Sequence, residues 1–234
     1  LYPMQKTATG LRALEPQQDG IDPAAIAERL AFPTDGFEVI VAKKSPLPAW
    51  VALDAVPKIV IQEPLLLGSP AETIFLIARS IEYIRSNFAL LGRVGPRERT
   101  ELGLLLQAMA KPSDQREPSA NEFISLLSRQ QVKAVQRVAK AAGDVIPELD
   151  VLAWMRGVDT LMSRVALLLC DDLVAAARMS ARLGSVENAV LPDGRIVLRA
   201  ISGGQNLLRF YLSANYYELY AAMAEAPVEE ITPS

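Results

Sequence analysis

The chain has no histidine and one cysteine in 234 residues. No site built on imidazole can therefore exist in it, which removes the commonest general base and the commonest nitrogen ligand for a metal. A single thiol, Cys170, excludes an intrachain disulfide and fits a reducing compartment. It ends the apolar run Val165-Ala166-Leu167-Leu168-Leu169-Cys170, where it reads as a small core residue; a catalytic thiol wants a neighbouring base, and the usual one is missing. No unbroken apolar stretch approaches the roughly 20 residues of a membrane span, and the N-terminus lacks a charged-then-apolar signal pattern. The expected location is the cytoplasm. Charge bias is absent too, since 24 basic and 27 acidic residues are interspersed for a net −3. That balance disfavours nucleic acid or anionic lipid as a partner.

What is present is apolar bulk. Half of the residues are hydrophobic, enough for one large core. The most informative stretch runs from Leu65 to Leu91. Ser69 is a natural N-cap, Pro70 suits the first helical position, and Glu72 stands where a capping-box carboxylate reaches back to the cap amide. Ile74, Ile77, Ala78, Ile81, Ile84 and Phe88 then recur at helical spacing, which predicts a helix over 70–91 of about six turns. An ordinary amphipathic core helix accounts for this pattern without any site.

The same residues carry a resemblance. Ser69-Pro70-Ala71-Glu72, with the small Ala78 beyond it, is similar to the opening of the metal-binding helix in gluzincin-type peptidases, the family containing HtpX and the CAAX prenyl endopeptidases. That family carries His-Glu-x-x-His on this helix. In the same register Arg79 and Tyr83 stand at the two ligand positions and Ser80 at the general-base position. The family's third ligand lies in a Glu-x-Asp-Arg-like helix; the similar stretch is Leu161-Met162-Ser163-Arg164, with Leu161 at the ligand position and Ser163 at the acidic one. Zinc requires unprotonated donors at about 2.0–2.3 Å, and Arg stays cationic while Tyr is a poor ligand near neutral pH. The resemblance thus implies a degenerate, non-catalytic peptidase-like domain with no bound metal and no cofactor.

Along the chain, residues 1–20 read as a lead-in and 21–223 as one domain. Asp22 and Pro23 open a two-turn helix. Phe37–Ala42, Ala49–Leu53 and Lys58–Gln62, bounded by prolines, predict a small sheet over 37–62. The resemblance implies that an edge of this sheet receives extended peptide; a covered edge is the alternative. Helices are expected over 96–110, 120–142, 149–183 and 207–223, with a linker over 111–119 and a frayed tail over 224–234. Lys133, Arg137 and Lys140 form a basic stripe that reads as a solvated face. The 149–183 segment is a central helix, or two end to end, with Trp154, Val158, Leu161, Val165, Leu168 and Leu169 inside. Asp171 and Asp172 are adjacent, so on a helix they point about 100° apart and make a poor catalytic pair. Pro192-Asp193-Gly194 marks a β-hairpin over 189–198, and Gly203-Gly204 lacks the residues of a phosphate-binding loop and reads as a helix-opening turn. The expected fold class is α+β, mostly α-helical: a bundle around a long central helix, with an N-terminal sheet and a C-terminal hairpin.

The last helix concentrates aromatics in a chain that holds only 6% of them. With Leu208, Tyr211 or Leu212, Asn215 and Leu219 inside, Phe210, Tyr216, Tyr217 and Tyr220 become candidate partner-binding residues; inward tyrosines with satisfied hydroxyls are the alternative. Leu167-Leu168-Leu169-Cys170-Asp171-Asp172-Leu173, ahead of a Leu-Leu-Arg-Phe-x-Leu-Ser helix, also resembles the end module of large bacterial tetratricopeptide-repeat scaffolds. No repeat of about 34 residues lies in the chain itself, which starts at Leu1 and reads as a piece of something longer. The function expected is a protein-interaction or scaffold module, not an enzyme. The competing functions are a histidine-free hydrolase using a carboxylate-bound divalent metal (Glu82, Asp159, Asp171, Asp172) and a homo-oligomerisation domain.

Overall fold

The computed structural model describes residues 8–93 apart from 46, scattered positions between 121 and 137, and residues 150–225 apart from 185, 187, 188 and 192. Where one domain is expected over 21–223, the chain divides into two compact units, one made of Leu1–Arg93 with Thr160–Ser234 and the other of Val94–Asp159. The class is α+β and mostly helical.

In the first unit, β1 (Thr9–Ala13), β2 (Glu38–Lys44), β3 (Ala49–Ala52) and β4 (Lys58–Gln62) form a sheet of order β1-β2-β4-β3. β2 and β4 run parallel, with Val41 opposite Ile61, and the outer pairs are antiparallel. Alternation sorts the side chains. Val39, Val41, Ile59 and Ile61 enter the main core, while Ala42, Trp50, Ala52 and Val60 form a smaller cluster on the other face. Trp50 Nε1 donates to Ser45 Oγ at 2.9 Å, so the indole is buried with its polar atom satisfied. Residues 1–20 are more than a lead-in: β1 lies there, followed by α1 (Pro16–Asp19). Arg12 on β1 holds Asp19 through two bonds of 2.8 Å, which draws that carboxylate below its usual range.

α2 (Pro23–Arg29) begins as expected, with Asp22 accepting from Ala24 N. α3 (Pro70–Arg85) begins on Ser69, whose Oγ accepts from Glu72 N at 3.3 Å. It stops at Arg85 rather than running to 91. Asn87 takes a left-handed φ of 60°, and a separate α4 (Ala89–Arg93) follows. Nor is α3 amphipathic. Thr73, Leu76, Ser80 and Tyr83 are as buried as Ile77 and Ile81, because β3 and β4, α2 and α4 all pack on it. Each fully buried large apolar side chain here contributes about 1.5–3 kcal/mol.

α5 (Val151–Cys170) and α6 (Leu173–Leu183) are two helices rather than one, broken where Asp171 adopts φ 48° and Asp172 caps α6 through Ala175 N at 2.9 Å. Along α5, Met155, Val158, Met162, Leu167, Leu168 and Leu169 are buried, and the expected inner residues Trp154 and Leu161 are exposed. α5 is apolar on two adjoining faces, so spacing alone does not choose between them. Across the hairpin expected over 189–198 the described residues form one antiparallel bridge, Val190 with Ile196, flanked by Leu191 N–H donating to the Arg195 carbonyl and Val197 N–H to the Ala189 carbonyl, both at 2.8 Å, before a 3-10 turn at Leu198–Ala200. The segment expected as one helix over 207–223 is α7 (Gly204–Tyr211) and α8 (Ala214–Glu225), separated by Leu212 and Ser213.

In the second unit Asn121, Ile124, Ser125, Arg129, Gln130, Val132, Lys133 and Arg137 are helical, with Lys133 and Arg137 exposed. The helix expected over 96–110, the linker 111–119, Lys140 and the tail from 226 lie outside the described residues.

The Glu72 carboxylate does not close a capping box. It is buried and pairs with Arg178 and, at 3.8 Å, Arg182 on α6. Gly68 is what leaves room for it, since a Cβ there would stand 2.3 Å from Glu72 Oε2. Gly68→Ala should therefore lower unfolding free energy by about 1–3 kcal/mol through the displaced ion pair. Gly157→Ala, in the interior of α5 with open space around it, should raise it by about 0.5–1 kcal/mol. Urea midpoints of the two variants check the opposite signs.

Candidate functional site

Arg79, the first of the degenerate positions, is 8% exposed in the middle of α3. Burying a guanidinium demands partners. Its Nη2 donates to the Tyr83 hydroxyl at 3.2 Å, its Nε donates to Ser163 Oγ at 3.3 Å, and its carbon lies 5.0 Å from the centre of the Tyr83 ring. Residues i and i+4 share a helix face, so α3 itself presents Arg79 and Tyr83 together. Tyr83 is walled in behind: a Cβ on Gly92 would lie 3.1 Å from both its ring and Val51 of β3. Ser80 Oγ donates to the Leu76 carbonyl at 2.8 Å, a back-bond within α3 that occupies the hydroxyl.

Arg79, Tyr83 and Ser163 are thus brought together, but Leu161 is not. It is 50% exposed, because two residues on an α-helix are about 200° apart and α5 turns Ser163 inward. A zinc ion does not fit this place. The donors offered are a phenol and a hydroxyl, and a divalent ion about 4 Å from the guanidinium would be repelled by about 8 kcal/mol at an effective dielectric constant near 20. Among the described residues no three His, Cys, Asp or Glu side chains form a group able to hold a metal. Three of the four carboxylates considered for oxygen-bound metal are drawn apart. Glu82 takes Arg85 at 2.8 and 3.0 Å and Ser86 at 2.6 Å, Asp172 caps α6, and Asp171 turns to α8. Of the sheet's edges, β3 is buried along its length with α4 packed on it, whereas β1 is mostly exposed.

The second candidate region is the aromatic cluster of α7 and α8. Ser213 caps α8, its Oγ accepting from Tyr216 N at 3.3 Å, and this break resets the helical phase. Leu207 and Phe210 on α7 and Tyr216 on α8 therefore face the core, while Leu212, Asn215 and Leu219, expected inside, are exposed. Tyr216 is ringed by Phe210 at 5.5 Å, Tyr211 at 4.8 Å, Tyr217 at 5.6 Å and Tyr220 at 6.1 Å. Its hydroxyl donates to Asp171 Oδ1 at 2.5 Å, and burial together with that bond pushes its pKa far above the phenol range. The pKa of the Tyr220 hydroxyl is raised as well, chiefly by the same carboxylate. Of the four candidate partner-binding residues, then, Phe210 and Tyr216 are core, Tyr220 is half-buried, and Tyr217 is 59% exposed. Sequence reasoning missed Asp171 as the acceptor that ties α8 down. The signals available were the Asp pair and Ser213, both N-cap residue types within otherwise helical runs.

Cys170 lies beside this cluster, with its thiol pushed up to about 12, mainly by burial. The sign is that of an acid whose charged form is disfavoured, so the thiol stays protonated through neutral pH. A disulfide reagent at pH 8 should meet roughly a thousandfold less thiolate than an ordinary cysteine offers. Absorbance should show no modification of the native protein and one thiol per chain after unfolding.

No helix among the described residues is long and apolar enough to cross a membrane. No family model, curated protein or solved structure matches the chain.

Proposed function

We propose that the chain is a non-catalytic, peptidase-like module that works through protein contacts in the cytoplasm, as part of a larger scaffold. One observation carries the reading: a cation from the chain itself, Arg79, occupies the middle of α3 where the resembling peptidases would present metal ligands, and Tyr83 and Ser163 hold it there. The arrangement keeps a helix frame without its chemistry. Contact with a protein partner falls to the surface of α8, where Tyr217 is exposed beside half-buried Tyr220.

Protein purified from zinc-supplemented cells should contain well under one zinc per chain by elemental analysis, and millimolar magnesium or manganese should leave its melting temperature unchanged. Tight stoichiometric zinc would end this reading. Arg79→Ala should cost about 2–4 kcal/mol in urea unfolding, because it removes a buried stem and leaves the Ser163 and Tyr83 hydroxyls without that partner. A loss below about 0.5 kcal/mol would mean that Arg79 does not fill the site.

A further inference from the structure

We infer that α8 is a latch, a helix that opens as a unit from its own chain and is fastened by the single carboxylate of Asp171. Its hold on the body is narrow. Among its residues whose burial is described, only Tyr216 is buried, Tyr220 and Met223 are half-buried, and Asn215, Tyr217, Glu218 and Leu219 face solvent. Among the described elements its one extensive neighbour is α7, reached through the two-residue hinge Leu212–Ser213. Few buried apolar contacts and a short hinge are the marks of an element that opens below the global unfolding free energy.

The fastening is at the other end of the contact. Asp171 holds a left-handed φ of 48° at the junction of α5 and α6, a conformation that costs a non-glycine residue free energy unless its surroundings enforce it. There its carboxylate accepts from the Tyr216 hydroxyl at 2.5 Å, so the one buried tyrosine of α8 ends on a charged acceptor. Arg29 steadies the same junction from the other side, donating Nη1–H to the Leu169 carbonyl at 3.3 Å. Closed, the helix covers the Phe210 and Tyr211 rings of α7; open, it bares them and the carboxylate together. This does not depend on any kinship with peptidases.

Native-state hydrogen exchange of the whole chain, read by mass spectrometry, tests it. In the wild type, amides of α8 beyond its first turn should exchange through an opening that depends weakly on denaturant, ahead of those of α3 and β4. Asp171→Asn, which tolerates the left-handed backbone but removes the charge, should speed α8 exchange about tenfold and leave α3 and β4 unchanged. Tyr216→Phe, which keeps the ring, should do the same. Unchanged α8 rates in both variants would overturn the latch, as would α8 amides that follow the global unfolding isotherm in the wild type. That last measurement decides the matter alone if the variants fail to fold.

Discussion

The structure turns on the burial of α3 from every side. A helix packed on one face can leave its polar residues in water, but one packed all round must satisfy them inside the protein. The sequence supplies α3 with three buried charged side chains, and each finds a partner: Glu72 with Arg178 and Arg182, Arg79 with Tyr83 and Ser163, Glu82 with Arg85 and Ser86. Two of these reach other helices, so they also fix how α5 and α6 lie against α3. The apolar residues around them are interchangeable in a way that these pairs are not. Removing one member of a buried pair strands a charge, whereas trading one large apolar residue for another of equal volume costs little.

That constraint separates frame from chemistry. The i, i+4 spacing of Arg79 and Tyr83 is the geometry in which a helix presents two ligands to one ion, and the chain uses it to hold a guanidinium against a phenol ring. Burial and the hydrogen bonds to Tyr83 and Ser163 hold the guanidinium in that position. The helix-break residues work the same way at the other end of the core. Asp171 and Asp172 are adjacent carboxylates that never converge: one turns back to accept from Tyr216 while the other caps α6.

The signals that were legible in the sequence are local ones. Asp22-Pro23 and Ser69-Pro70 mark helix starts by a side chain that bonds the next turn, and the structure has both. The three strands between Phe37 and Gln62 stand out because prolines bound short β-branched runs. β1 does not, since Thr-Gly-Leu-Arg-Ala has little intrinsic strand preference and is a strand because β2 offers it a partner register. Trp154 and Leu161 mislead for a related reason. Seven residues apart, they share a face, but an equally apolar face carries Met155, Val158 and Met162, and only tertiary packing chooses between them. The candidate site was legible as a set of positions, Arg79, Tyr83 and Ser163, while the outward turn of Leu161 needed the helix phase that packing sets.

The C-terminal aromatics show how one short break redistributes a whole surface. Read as a continuous helix, Leu208, Leu212, Asn215 and Leu219 fall on one stripe and the tyrosines on another. Two residues outside the helix, Leu212 and Ser213, shift the phase, so the stripes exchange roles: Tyr216 goes to the core and Leu219 to solvent. The exchange is favoured because a buried tyrosine needs an acceptor and the kink at Asp171 places one there, 2.5 Å from the Tyr216 hydroxyl. A leucine in that place would bury as much carbon but leave the carboxylate without that donor. The two breaks, at Asp171 and at Ser213, are therefore complementary parts of one contact, and neither is explained by the local sequence around it alone.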